Sequence, residues 1–240
     1  MTELIDGYRS SVREFLEDAN AGLLFVLAAP EAESVAAKVI ASVEEEPTSD
    51  DLMLAYTGPF TDPLNYYRAA AAAVLENFAE HREALRAELV HFVLPSGLDE
   101  EYRAKGISAE VLFADFAERC SRALCRNVAT RLVFVLRAEE PSDAVAFVAS
   151  ASLLGALTAP ERTKFVVFAA QDSAPPALVP AARRLAVVEP EREKALQHEL
   201  LEFTSSIARR VLVVRCSQLN ADRAIRELDG LRRTHFRVAL

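Results

Sequence analysis

The chain has 240 residues, of which 51% are hydrophobic and 26% charged, and its formal net charge is −9. This composition is typical of a globular protein and excludes a disordered one. The acidic balance argues against broad, sequence-independent binding to nucleic acid, which needs a basic surface, so we do not expect nucleic acid as a partner. The longest strongly apolar run, Leu23 to Pro30, is too short to cross a bilayer, and the N-terminus lacks the apolar core of a signal peptide. The sequence therefore predicts a cytoplasmic protein with no membrane partner.

Apolar and amphipathic segments alternate along the chain and predict strands and helices in turn. A segment that is apolar throughout, such as 22–28, is typical of a strand buried on both faces of a parallel sheet. The predicted strands are 22–28, 52–56, 131–136, 164–169, 184–188 and 211–215. The predicted helices are 2–20, 31–43, 63–78, 108–127, 142–157 with Ser142 as its cap, 189–207 and 220–232. Residues 83–93 fit either a helix or a helix that runs into a short strand.

This alternation predicts the fold class α/β, a three-layer sandwich with a mostly parallel central sheet. We expect a single α/β domain over 1–240. It would comprise an N-terminal helix in 1–20, a core in 21–207 and a strand-helix extension in 208–240.

The order of the segments points to one group of proteins. A charged helix that ends at Glu17–Gly22 leads into a hydrophobic strand, a turn and a helix. Further along, the strand 131–136, a pair of glutamates, a helix and the strand 164–169 follow one another. This order resembles the P-loop ATPases of the AAA+ and STAND-like groups over about Leu4 to Ile207. The resemblance implies a P-loop NTPase-like sheet with the first strand central, in which 131–136 is the Walker B strand and 164–169 the sensor strand.

The phosphate-binding motif of that group is degenerate in this chain. A P-loop uses glycines to wrap a phosphate, a lysine to meet its charge, and Ser or Thr to hold magnesium. The corresponding turn starts at Ala28, and if Ser34 takes the magnesium position, Glu33 replaces the lysine and Ala32 the second glycine. A carboxylate about 4 Å from a phosphate charge costs roughly 4 kcal/mol at an effective dielectric of 20. We therefore expect no bound nucleotide cofactor.

The Walker B position is also degenerate. That strand should end in Asp to hold magnesium, often with Glu to orient the attacking water, but here Arg137 follows the predicted strand. Glu139 and Glu140 come one or two positions late and are predicted to be first-turn acids of the next helix. The two losses together predict that ATP is not hydrolysed and that the chain is not an enzyme of this kind.

Other catalytic and metal sites find little support. The first turn lacks the glycines of a dinucleotide site, and no G-x-S-x-G elbow is present. The cysteines and histidines show no metal-ligand spacing, so we predict no catalytic residue, no metal and no cofactor. The residues concerned are Cys120, Cys125, Cys216, His81, His91, His198 and His235. Paired arginines, such as Arg209 and Arg210, either form a basic surface or serve as salt-bridge partners.

Aromatic residues follow the second predicted strand, at the edge of the sheet where ligands of α/β proteins bind. Phe60, Tyr66 and Tyr67 are candidates for an interaction surface, because aromatic residues are enriched at interfaces. Packing in the core is the alternative for the same three residues.

Taken together, these features predict a non-catalytic pseudo-ATPase domain, AAA-like in fold, that acts in protein–protein interaction as an adaptor or scaffold in a larger, bacterial-type assembly. The partner would be another protein of unknown identity or a second copy in a homo-oligomer. The alternatives are a regulatory protein that binds a nucleotide without hydrolysing it, or an enzyme of unrecognised α/β type. In an unrelated α/β protein, Glu33 and Ser34 would form only an ordinary polar first turn of a helix.

Overall fold

The computed structural model describes residues 2–46, 49–80, 98, 106–125, 129, 131–139, 141, 143–170, 182–183, 209–214, 225–226 and 228–229. Its helices are α1 (Thr2–Glu17), α2 (Pro30–Glu44), α3 (Pro63–Glu80), α4 (Ala109–Leu124) and α5 (Ala144–Leu157). Its strands are β1 (Leu23–Ala28), β2 (Leu52–Pro59), β3 (Leu132–Glu139), β4 (Thr163–Ala170), β5 (Ala182–Arg183) and β6 (Arg209–Val214).

The strands form one parallel sheet in the order β2-β3-β4-β1-β6-β5. The first strand is interior, since β1 pairs with β4 on one side and with β6 on the other. Every residue of β1 is buried, which explains why its sequence is apolar without alternation. The strand that was predicted within a C-terminal extension, β6, lies beside β1 inside the sheet.

Helices cover both faces of the sheet, so the protein is a three-layer α/β sandwich. One face of β1 presents Leu23, Phe25 and Leu27 to a core shared with α3, α4 and α5. The opposite face presents Leu24 and Val26 to a second core, shared with α1 and α2. The predicted fold class is thereby confirmed.

Basic side chains hold the C-terminal end of α1 against the edge of the sheet at which the parallel strands begin. Lys164 of β4 is fully buried, and its Nζ donates to the carbonyl oxygens of Phe15, Asp18 and Ala21 at 2.7–3.1 Å. Arg131, just before β3, donates to the carbonyl of Leu16. Phe15 and Leu16 belong to the last turn of α1, whose carbonyls lack intrahelical donors, so these cations supply donors there and complement the negative end of the helix dipole. Asp18 and Ala21 follow the helix, and the Asp18 carbonyl also accepts the N–H of Ala21.

Two ion pairs stabilise the same edge. Arg131 binds the buried carboxylate of Asp51 with its Nε at 2.8 Å and its Nη2 at 3.0 Å. Arg210 of β6 donates from both Nε and Nη2 to a single oxygen of Asp18, Oδ2, at 3.0 and 2.7 Å. For Arg210 the salt-bridge alternative of the sequence analysis therefore holds.

Helix α5 approaches β1 closely through two glycines. A Cβ built on Gly22 would lie 2.7 Å from the carbonyl oxygen of Gly155, and one built on Gly155 would lie 2.6 Å from the Cβ of Leu23. Both distances are shorter than side chains tolerate, so the lack of a side chain at 22 and 155 sets the spacing between helix and strand.

The predicted elements that fall on described residues lie within three residues of their expected bounds. α1 and α4 each end three residues earlier than predicted, at Glu17 and Leu124. β2 and β3 each run three residues further than predicted, to Pro59 and Glu139. Asp143, not Ser142, caps α5, because its side chain accepts the backbone N–H of Ala146 at 2.9 Å. The predictions for 83–93, 184–188 and 189–207 lie outside the described residues, as does most of 220–232.

Candidate functional site

The connection between β1 and α2 is a tight turn. β1 ends at Ala28 and α2 begins at Pro30, so Ala29 alone joins them. Ala29 is extended, with φ −70° and ψ 155°, and its carbonyl accepts the N–H of Ala32 at 2.8 Å. Pro30 suits the first turn of a helix, because the N–H that it lacks would have no intrahelical acceptor. This turn contains no loop that could wrap a phosphate.

Glu33 and Arg137 form an ion pair next to this turn. Arg137 Nη2 donates to Glu33 Oε2 at 2.9 Å, and its Nε lies 2.7 Å from Oε1. Only the Nη2 contact has the geometry of a hydrogen bond, and the Nε contact is a close approach of opposite charges. The side chains are 43% and 30% exposed, so we assign the pair no more than about 1 kcal/mol of stability. The lysine and aspartate positions of the resemblance are thus occupied by opposite charges that bind each other.

A cavity of about 1120 Å³ opens beside this ion pair, at the carboxyl ends of β1, β3 and β4. β1 and β4 are neighbours, but the chain leaves β1 toward the β2 edge and leaves β4 toward β5 and β6, on the other side of β1. Adjacent strands with connections in opposite directions create a crevice, the usual ligand position in open α/β sheets. Among the described residues the cavity has mainly apolar walls, which include Pro59, Pro141, Phe147, Val148 and Phe168.

Glu139 lies at the rim of the same cavity. It is the last residue of β3 and pairs in register with Pro59, so the prediction that it is a first-turn acid of the next helix is wrong. The strand continues past Arg137 because β2 extends equally far beside it. Glu139 is exposed, and no hydrogen bond or ion pair joins it to another described residue. Together with the burial of the Tyr56 phenol, its charge raises the pKa of that phenol above the usual value.

The other positions of the degenerate motif are divided between cavity, core and surface. Ala28 lines the cavity at the end of β1. Ala32 of α2 is fully buried and belongs to the core between α2 and the sheet. Ser34 is exposed on α2 and is not among the described residues that line the cavity. Of these residues, then, the structure places Ala28, Glu33 and Arg137 in one site.

The aromatic candidates Phe60, Tyr66 and Tyr67 are buried, with 2%, 1% and 0% exposure. The prediction that they form an interaction surface is therefore wrong, and the packing alternative is right. Tyr66 makes edge-to-face contacts with both Phe60 and Phe147, at centroid distances of 5.6 and 5.3 Å. The cluster forms the floor beneath the cavity, because Phe147 belongs to both.

A buried polar chain links the three helices behind this cluster. The Tyr67 hydroxyl lies 3.1 Å from Ser150 Oγ, which in turn donates to the carboxylate of Glu110. Burial raises the pKa of the Tyr67 phenol. Because α3, α4 and α5 each contribute one residue, this network fixes their relative positions.

The remaining candidates of the sequence analysis are the cysteines and the histidines. In the part of the chain that the structure describes, no group of three or more His, Cys, Asp or Glu residues is arranged to hold a metal ion. Cys120 is buried, which raises its pKa to about 12. Cys216 and the four histidines lie outside the described residues. None of the described helices is long and apolar enough to cross a membrane.

Sequence reasoning treated Glu33 and Arg137 as two independent losses and missed their pairing. The sequence did contain a sign of the pairing, because a glutamate stands where a lysine is expected and an arginine stands where an aspartate is expected. Glu139 was missed as a cavity residue because the third strand was predicted to end too early. Lys164 was read as part of an apolar strand, and its neighbours in sequence give no sign of the helix end that it caps.

Comparison with known proteins finds no match: no family model, curated protein or solved structure is similar to this chain.

Proposed function

We propose that this protein is a non-catalytic, P-loop-like domain that serves as a protein–protein interaction module. The observation that carries the proposal is the Glu33–Arg137 ion pair in the cavity, at the two positions where the resemblance implies a phosphate-binding lysine and a magnesium-binding aspartate. The central position of β1 in the parallel sheet supports the resemblance. Because the ion pair occupies these two positions, the domain lacks the lysine and the aspartate that triphosphate hydrolysis needs. The parallel sheet and the cavity beside the ion pair are still present.

Two features oppose triphosphate binding. Glu33 repels phosphate oxygens, and Arg137 is already engaged by Glu33. The turn at Ala29 has neither the length nor the glycines to turn several backbone N–H groups toward a phosphate. The assignment to an adaptor or scaffold in a larger cytoplasmic assembly is part of the same proposal.

Calorimetric titration with ATP and magnesium tests this function. We expect no magnesium-dependent binding by the unmodified protein. We also expect none by the doubly reversed variant Glu33→Lys/Arg137→Asp, because reversing the charges does not lengthen the turn. Tight magnesium-dependent binding by the unmodified protein, or hydrolysis of ATP, would overturn the proposal. Light scattering after size-exclusion chromatography then establishes whether the partner can be a second copy.

The open cavity at the switch point favours a second candidate, a regulator that binds a nucleotide without hydrolysing it. A nucleotide would then bind in the absence of magnesium, through its base against the apolar wall, and adenosine would compete with ATP. Absence of binding for both adenosine and ATP would exclude this candidate.

A further inference from the structure

The cavity beside the Glu33–Arg137 pair combines apolar walls with an excess of negative charge. Its charged lining among the described residues consists of Glu33, Arg137 and Glu139. The first two form an ion pair with each other, so among these residues the charge that is left belongs to Glu139.

Glu139 is available to a ligand. Its side chain is exposed at the rim, and no described residue supplies a cation to it. It is held in place by the pairing of β3 with β2, opposite Pro59, so its position depends on a sheet and not on a loop. A carboxylate on a rigid element is a suitable acceptor for a charge-assisted hydrogen bond.

The apolar part of the lining complements this carboxylate. Pro59, Pro141 and Ala144 are at least partly exposed and border the cavity with apolar surface that can cover a hydrocarbon stem, above the buried side chains of Phe147, Val148 and Phe168. The two prolines offer no backbone N–H donors. An arginine or lysine side chain has this shape, with an alkyl stem and a cationic end. Glu139 would repel an anionic group, and Arg137 would not offset this repulsion because it is already paired with Glu33.

We infer that the cavity receives a basic side chain, arginine or lysine, from a partner protein, with its stem against Pro59 and Pro141 and its cationic group on Glu139. This inference rests on the proposed interaction function and names the chemistry of its partner. The acidity of the whole chain, net −9, also favours the approach of a basic partner.

The test is a titration of ¹⁵N-labelled protein with a short alanine-glycine peptide that carries one central arginine. Matched peptides carry lysine, glutamate, or citrulline, which has the shape of arginine without its charge. We expect the arginine and lysine peptides to shift the amide signals of Ala28, Ala138 and Ala170, which line the cavity. Citrulline should bind about ten-fold more weakly, the size of one charge-assisted hydrogen bond.

Two variants locate the interaction. Glu139→Gln should weaken the arginine peptide about ten-fold, and Glu139→Lys should transfer the preference to the glutamate peptide. Glu161→Gln is the matched control, because Glu161 is an exposed carboxylate before β4, at the opposite edge of the sheet. Amide spectra of the free variants establish that each is folded.

Three results would overturn the inference: no shift with the arginine peptide, equal binding of arginine and citrulline, or equal binding by the unmodified protein and Glu139→Gln. Free arginine amide, run in parallel, separates a peptide site from a small-molecule amine site, since binding of the amide alone would reject a protein partner. Magnesium-dependent ATP binding would remove the pseudo-ATPase proposal without affecting these outcomes, so the two failures are distinguishable.

Discussion

Glu33 and Arg137 act as a unit, although they come from different layers of the sandwich. Glu33 lies at the end of the first turn of α2, and Arg137 lies on β3 beside Phe168 of β4. Their contact ties the helix after β1 to a strand two positions away in the sheet. Each charge alone would face the cavity without a partner.

A double-mutant cycle measures this coupling. Glu33→Lys and Arg137→Asp should each lower the free energy of unfolding by about 1 kcal/mol, because each places like charges side by side. The double variant, which restores opposite charges, should recover most of this loss. Urea unfolding of the four proteins gives the coupling energy, and strictly additive losses would show that the two side chains do not interact.

Lys164 is the residue whose replacement we expect to be most damaging. Lys164→Met keeps a long side chain but removes one donor from each of the carbonyls of Phe15, Asp18 and Ala21, although the Asp18 carbonyl retains the N–H of Ala21. The expected loss is about 2 to 4 kcal/mol of unfolding free energy. Urea unfolding is the measurement, and Lys38→Met, whose amine lies near the surface with Asp229, is the control. Equal stability of the unmodified protein and Lys164→Met would contradict the capping role.

The same lysine gives a pH dependence of known sign. Burial lowers the pKa of Lys164 from the ordinary 10.5 to about 8, with the charge of Arg131 as a further cause. Between these values the unfolded chain holds a proton that the folded protein has released, so rising pH favours the folded state. The difference in unfolding free energy between the unmodified protein and Lys164→Met should therefore grow from pH 8 to 10.5. A difference that shrinks over this range would contradict the shift.

At the scale of elements, the contact between α5 and β1 depends on Gly155. Helix propensity alone predicts that Gly155→Ala stabilises the protein by about 1 kcal/mol. The 2.6 Å approach to the Cβ of Leu23 predicts the opposite, a net loss of about 1 to 3 kcal/mol, because neither the helix nor the strand can move freely. Thermal unfolding decides the sign. Ala149→Gly, at an exposed position of the same helix, should show the propensity cost alone.

Elements were predictable from the sequence where periodicity carried the information. The uniform apolar run of β1 and the spacing of apolar residues in α4 each have one physical explanation. The ends of the strands were less predictable. The last residues of β3 are Arg137, Ala138 and Glu139, a sequence that is typical of the start of a loop. Their strand conformation comes from pairing with β2, a contact that no local pattern reveals.

At the scale of the molecule, the candidate site could be predicted in part. The absence of glycine predicted that the turn after the first strand would not cradle a phosphate, and in the structure Ala29 alone joins β1 to α2. The aromatic cluster was misplaced, because the sequence shows Phe60, Tyr66 and Tyr67 after a strand but not the cover that α5 provides through Phe147. The cavity itself arises from strand order, which composition does not encode.

The two-sided burial of the central strands predicts a gradient of hydrogen exchange. β1 and β4 are paired on both sides and covered on both faces, so their amides should be the slowest to exchange. β2 pairs with β3 on one side, and its residues Ala55 and Thr57 are exposed, so its amides should exchange sooner. Exchange followed by mass spectrometry measures this order, and equal rates in β1 and β2 would contradict it.

The interior place of β1 also has a consequence for how the chain is made. Leu23 is synthesised early, yet its partners in the sheet are Phe165 and Arg209. During synthesis on the ribosome, this apolar strand remains unpaired until most of the chain has emerged. We therefore expect the nascent chain to depend on chaperones that bind extended hydrophobic segments, and β1 to be the segment they hold longest.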